Sequence, residues 1–231
     1  RFVDEGFVAC ALEASSIGLE ERRLGGTRTR LAGFTNFPQD YLDYHASMAD
    51  YWQAKKMLFS WPGLQAAIIN IDDAKGFELS AALIGAPLDV WTFSCTGLAR
   101  LQAQAICHGA HDLSFEVVEG AERHRISTPM VGLYNVSNLL GVVASLRAMN
   151  ISLADAVNAC VDLLPVPGRT ETLTVPGQPL VVIDYAHTPD ALEKVLLAIK
   201  PVALSRGGRL WCVFGCGGDR DVSKRPLMAA V

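Results

Sequence analysis

Two segments near the end of the chain do most to limit its fold. Residues 181–201 read VVIDYAHTPDALEKVLLAIKP, and residues 210–226 read LWCVFGCGGDRDVSKRP. Each opens with a short apolar run that stops at a sharp polar corner. The first then continues with helical periodicity and the second with a glycine turn. This alternation predicts two parallel strands joined by a helix, hence an α/β fold. In open α/β sheets, ligands bind outside the strand ends, so the corners at Asp184 and Gly215 are where chemistry is expected.

The chain has 231 residues, enough for one large or two small domains with real cores. A net charge of −4, with no dense Lys/Arg run, argues against a nucleic-acid-binding stripe. No apolar stretch approaches the roughly 20 residues needed to cross a bilayer, and a signal peptide is not expected. The six cysteines (Cys10, Cys95, Cys107, Cys160, Cys212 and Cys216) form no CxxC pair. They are expected to be buried thiols in a reducing cytoplasm. The first residue is Arg1, not Met, and the last lies in an apparent helix, so the expectation is a piece of a longer protein.

Between the ends, residues 7–14 (FVACALEA) form an apolar strand-like run ending at Glu13. Residues 31–36 form a second run, broken by Phe37-Pro38. Residues 48–59 have helical spacing. Residues 65–71 read as a strand ending at Asp72-Asp73, residues 74–84 as a helix, and residues 90–95 as another strand. Residues 111–127 alternate as antiparallel strands do. Residues 134–149 and 152–164 read as helices, the second capped by Ser152. Pro165-Val166-Pro167-Gly168 cannot continue a helix, so the domain boundary is expected there, dividing 1–166 from 167–231.

Several residues could carry chemistry. Glu13 at a strand end beside Ser15 and Ser16 could hold a hard cation such as Mg²⁺, or it could simply cap the following turn, with Ser15 and Ser16 as turn formers. Lys55 sits beside Lys56 on a helix, where a solvated pair is the plainer reading. Burial would instead depress its pKa and leave a neutral amine able to take up carbon dioxide as a carbamate, an oxygen ligand for a cation. Gly215-Cys216-Gly217-Gly218, with Asp219, Arg220, Lys224 and Arg225 behind it, could let backbone approach an anion, or could be a tight turn. It is not GxGxxG. Asp184 and His187 are better placed for a ligand, as partners for a sugar hydroxyl and for phosphate or a ring edge. His45, His108, His111 and His124 lack metal-cluster spacing and read as structural or surface residues.

Several motifs, in the correct order, resemble the Mur ligases from about Ala9 to the end of the chain. Glu13-Ala14-Ser15-Ser16 resembles E-x-S-S. Phe34-Thr35-Asn36, followed by Asp40-Tyr41-Leu42-Asp43-Tyr44-His45, resembles F-T-N…D-H-L-D-Y-H. Residues 51–59 resemble the helix bearing a carbamylated lysine, which places that group on Lys55. GLYNVSN at 132–138 resembles a nucleotide-contacting helix start, and Gly168-Arg169-Thr170-Glu171 resembles G-R-M-E. DYAHTPDAL and FGCGGDRD…KRP complete the match.

The resemblance implies a partial central ATPase-like domain, a mixed sheet with flanking helices, followed by the start of a Rossmann-like C-terminal domain. It implies ATP-driven amide-bond formation through an acyl phosphate. The partners would be UDP-N-acetylmuramoyl-L-alanyl-D-glutamate and a diamino acid, with meso-diaminopimelate favoured over lysine. Glu13 and carbamylated Lys55 would hold Mg²⁺. Ser15, Glu21 and Arg23 would touch the UDP-sugar peptide. Asn138, Arg169, Asp184 and His187 would touch ATP, and Arg225 the carboxylate of the incoming amino acid. A cytoplasmic monomer without nucleic-acid or membrane partners is the expectation.

The departures matter too. Tyr41 stands where the family has a metal-ligating His, Glu21 where it has Gln, and Ile17 where it has His. No G-x-x-G-K-[ST] loop is present, so the resemblance places it upstream of Arg1, and this chain by itself is not expected to turn over. The alternatives are a degenerate, non-catalytic ligase-like binding module, suggested by Tyr41 and Glu21, or a sister enzyme such as another Mur ligase or folylpolyglutamate synthase.

Overall fold

The computed structural model describes residues 4–38, 44–108, 113–130, 132–217 and 224–231. Its centre is β2 (Ala66–Asn70, AAIIN), all five residues of which are buried. A strand that is apolar on both sides suits the middle of a parallel sheet covered on both faces. β2 pairs in parallel with β1 (Leu31–Phe34) and with β3 (Asp89–Ser94). β3 continues in parallel to β4 (Leu101–His108). β4, β5 (Leu113–Glu119) and β6 (Glu122–Thr128) are antiparallel, closing the order β1-β2-β3-β4-β5-β6. The mixed sheet expected from the sequence is therefore present.

The period-2 geometry of β2 divides the core in two. Ala66 and Ile68 join Trp91, Phe93, Leu101 and Phe115 beneath α4 (Leu133–Ala148) and α5 (Leu153–Val161). Ala67 and Ile69 face the other way, with Phe34, toward Trp52 of α2 (Met48–Lys56) and Leu79 of α3 (Ala74–Ala82). The starts of α2, α5 and α3 each have a local cause. The Ser47 hydroxyl accepts from the Asp50 amide and the Ser152 hydroxyl from the Asp155 amide, while Asp73 accepts from the Lys75 and Gly76 amides.

The helical pattern at 48–59 ends as α-helix at Lys56 and tightens into a 3₁₀ turn, Met57–Ser60. β4 is a strand that the sequence reading omitted. Residues 7–14 correct that reading: they form no strand, and Phe7, Val8 and Leu12 are exposed (Val8 fully), so no buried face fixes them in a sheet. The cysteine expectation also needs correcting. Of the six, only Cys160 is buried and none is paired, because Cys10 and Cys212 lie in runs that stay exposed.

Beyond the irregular stretch 162–170, β7 (Glu171–Leu173) pairs antiparallel with β8 (Val181–Ile183), and α6 (Pro189–Ser205) follows, capped by Thr188. α7 spans Lys224–Ala230. The expected parallel partner of β8 at 210–214 is not a strand: Trp211 and Val213 are exposed, and parallel pairing depends on burial of both faces. Among the described residues, no helix is long and apolar enough to cross a membrane.

Candidate functional site

The ends of β1, β2 and β3 converge on one corner of the sheet. Asn70, 8% exposed, donates from Nδ2 to the Thr35 carbonyl at 2.8 Å and to Ser137 Oγ of α4 at 3.4 Å. Two residues on, Asp72 bridges β2 to the β3 exit. It accepts from Ser94 Oγ (2.5 Å), Thr96 Oγ1 (2.6 Å) and the Cys95 amide (2.7 Å). Desolvation acts to raise the Asp72 carboxyl, but these hydrogen bonds outweigh it and hold the pKa below the ordinary 3.8. Beside it, burial pushes the Cys95 thiol up to about 12, so it stays protonated. Sequence reasoning assigned Thr35, Asn70 and Asp72 no role. Polar residues at or just past the ends of apolar runs were the available signal.

A prediction about pH follows from Asp72. Its folded pKa is depressed, so its contribution to stability is present above 3.8 and is lost as pH falls through the lower folded value. Asp72→Asn should lower the melting temperature near neutrality. The gap to the parent protein should close progressively below pH 3.8 in melts recorded across the acid range. A constant gap would contradict the assignment.

The second wall is α1 (Ser16–Glu20) against α2. Ser15 is the N-cap of α1, its hydroxyl accepting from the Gly18 amide at 3.0 Å, so the capping role considered for Glu13 falls to Ser15. Ser16 Oγ lies 2.8 Å from His45 Nε2, and His45 Nδ1 lies 3.5 Å from Glu20 Oε2. Ser, His and Glu in that order resemble a nucleophile relay. Yet Ser16 is 1% and His45 4% exposed, leaving no room for a substrate, so the trio is structural. The His45 ring stacks on Tyr51 at 5.3 Å, and Tyr51 in turn lies under Lys55 Nζ at 5.2 Å from the ring centroid. Phe37 also stacks on Tyr51, and its amide donates to Asp73. Lys55 is thus joined through aromatic contacts both to the E-x-S-S corner and to the end of β2.

Lys55 and Lys56 are both half-buried, with Lys56 over Trp52, so the choice between one buried and one solvated lysine resolves to neither. Glu13 is exposed just before α1. Arg23 and Glu21, both expected to meet substrate, are paired with each other, Arg23 Nε donating to Glu21 Oε2 at 2.7 Å. A hard cation takes oxygen ligands. Among the described residues no group of three His, Cys, Asp or Glu could hold a metal. Glu13 brings a carboxylate, but Lys55 as an ammonium brings the wrong charge. The donor set therefore fits Mg²⁺ only with Lys55 carbamylated.

The third group lies around β7 and β8. Arg169 packs over the Tyr185 ring at 5.4 Å, Tyr185 meets His187 edge-on at 5.5 Å, and His187 Nδ1 lies 3.0 Å from the Tyr185 carbonyl. The Asp184 carboxylate accepts from the Thr170 and Ala186 amides at 2.8 and 2.7 Å. Thr170 also bonds Tyr134 of α4, one turn before exposed Asn138. Arg169, Asp184 and His187 are therefore neighbours around β7 and β8, and Thr170 connects Asp184 to α4, the helix that carries Asn138. Arg225 is exposed on α7. Tyr41, Asp40, Leu42, Asp43, His111, Gly218, Asp219 and Arg220 lie outside the described residues.

Strand ends gathering polar side chains, with helices on both sheet faces, define an α/β protein whose strand-end corner is the place where such sheets take ligands. Residues 1–146 match the Mur ligase middle domain and residues 168–231 the Mur ligase glutamate ligase domain. The chain belongs to the Mur ligase family. It is 60% identical over 231 residues to UDP-N-acetylmuramoyl-L-alanyl-D-glutamate--2,6-diaminopimelate ligase of Acidovorax sp. (strain JS42), covering 100% of this chain and 46% of that protein. The protein of the same name from Janthinobacterium sp. (strain Marseille) is 51% identical, with coverages of 98% and 46%. A solved structure of a ligase of that name superposes with a TM-score of 0.77 at 35% identity, covering 98% of this chain and 46% of its own. The chain thus spans about half the length of the relatives it matches.

Proposed function

We propose that the chain is part of an ATP-dependent ligase that joins meso-diaminopimelate to UDP-N-acetylmuramoyl-L-alanyl-D-glutamate. The observation that carries this reading is the 60% identity, running the full length of the chain, to a relative of that name. In the reaction, the D-glutamate carboxylate attacks the γ-phosphorus of ATP, giving an acyl phosphate and ADP. The free amine of the diamino acid then attacks the acyl carbon. The C–N bond forms as inorganic phosphate leaves with the C–O electron pair, and the amine loses a proton.

Bound Mg²⁺ would offset charge on the transferring phosphoryl group. Glu13 and carbamylated Lys55 are the residues to hold it. Ser15, Glu21 and Arg23 face the UDP-sugar peptide. Arg225 takes the carboxylate of the incoming amino acid, a task suited to a planar guanidinium. Asn138, Arg169, Asp184 and His187 contact the nucleotide. The domain division at 166/167, a cytoplasmic setting and a monomeric state complete the reading.

The test is ADP release by the full-length protein with UDP-N-acetylmuramoyl-L-alanyl-D-glutamate, Mg²⁺, and either meso-diaminopimelate or lysine. Turnover with diaminopimelate alone is the expected result. Turnover with lysine alone would reassign the third residue. A folded protein silent with both would overturn the ligase reading in favour of a binding module.

A further inference from the structure

The most unusual backbone near the candidate nucleotide site belongs to Thr170. Its φ is +49°, in the left-handed region that β-branched residues avoid, and it is 3% exposed. Such outliers persist only where surrounding contacts over-determine them, and they cluster at functional sites. Here the contacts are identifiable. The Thr170 amide donates to Asp184 Oδ2 at 2.8 Å, its hydroxyl lies 3.3 Å from the same oxygen, and that hydroxyl is also hydrogen-bonded to Tyr134.

The direction of this relay follows from donor arithmetic. An ionised carboxylate only accepts, so the single Thr170 hydroxyl proton goes to Asp184 and the Tyr134 hydroxyl donates to Thr170. Burial, with the Asp184 charge adding to it, raises the Tyr134 pKa, so this proton is retained. Gly132 makes room for the ring. At φ +93°, a Cβ there would lie 2.6 Å from the Tyr134 ring and 2.9 Å from Ala198 of α6. On Asp184, Oδ2 is occupied by Thr170 and Oδ1 accepts from Ala186. Three of about four acceptor sites are used, which leaves one on Oδ1 for a ligand hydroxyl.

We propose that Tyr134 is a positioning residue: through Thr170 it fixes Asp184 so that its free lone pair meets a ribose hydroxyl of the nucleotide. The inference rests on the nucleotide role proposed above for Asp184. It ties that carboxylate to Asn138, which lies four residues after Tyr134 on the same face of α4.

The experiment is calorimetric binding of ATP and of 2′-deoxy-ATP and 3′-deoxy-ATP to the full-length protein and to Tyr134→Phe, Thr170→Val, the double variant and Asp184→Ala. Phenylalanine and valine keep shape and remove only hydroxyls. Asp184→Ala should abolish the preference for ATP over whichever deoxy analogue binds more weakly. Tyr134→Phe and Thr170→Val should each cut that preference roughly 3–10-fold, about the worth of one hydrogen bond. The double variant should be no worse than either single one, because both break the same relay. If Asp184→Ala binds all three nucleotides as the parent does, the nucleotide role of Asp184 fails. If only Asp184→Ala changes the preference, or the hydroxyl variants lose melting temperature alone, the relay is merely structural and the inference is overturned.

Discussion

Gly76→Ala should lower stability by about 3 kcal/mol or more, the upper end of what an overpacked site costs. Helix propensity alone points the other way, since alanine in place of a helical glycine gains about 1 kcal/mol. The packing decides the sign. Gly76 is buried in the first turn of α3, and a Cβ there would lie 1.8 Å from the Asn70 carbonyl oxygen and 3.0 Å from the Phe34 ring. The obstacle is backbone at the end of β2, so no rotamer change relieves it. α3 would have to lift from the sheet or Asn70 would have to move, disturbing its bonds to Thr35 and Ser137. For a domain this size the loss corresponds to roughly 6–12 °C in melting temperature. Gly33→Ala on β1 is the control, because nothing lies within 4 Å of its added Cβ. If Gly76→Ala melts as Gly33→Ala does, the close approach of α3 to β2 is not as described.

How much of this was legible beforehand depends on whether local pattern or long-range pairing decides an element. α5 with its Ser152 cap, the β5–β6 pair and the largely apolar β2 follow from periodicity and cap chemistry that act within a few residues. β4 was equally available: Leu101, Ala103 and Ala105 alternate with polar Gln102 and Gln104, but the run is weakly apolar and was passed over. Residues 7–14 and 210–214 failed for the opposite reason. Their composition is strand-like, yet a strand exists only through a partner, and both runs stay exposed. In the site, motif likeness picked out Asp184 and Arg169 but could not show that Thr170 binds the first of them and that Tyr134 binds Thr170. Residues 36 apart meet only through the fold.

Lys55→Ala in the full-length protein should cut turnover by on the order of 10²-fold or more, while the fold survives. The side chain is half-buried on the last turn of α2, with its Nζ over the Tyr51 ring. The large effect is expected from charge. The Lys55 ammonium first loses a proton. The neutral amine then adds to carbon dioxide, forming a C–N bond and releasing a second proton, so that a cation becomes an anion with two oxygen donors. Without that anion Glu13 is the one assigned oxygen ligand left. Lys55→Arg separates this from a simple need for positive charge, because guanidinium keeps the charge but does not form the carbamate. It should be as inactive as alanine. Two readouts other than turnover bear on the same point. Parent protein equilibrated with ¹³C-bicarbonate should show a carbamate carbon that Lys55→Ala lacks. A small carboxylate such as formate should partly restore the alanine variant by filling the space of the missing group. Full activity in Lys55→Arg, or no difference in the ¹³C spectrum, would remove the carbamate and with it the proposed Mg²⁺ site at Glu13 and Lys55.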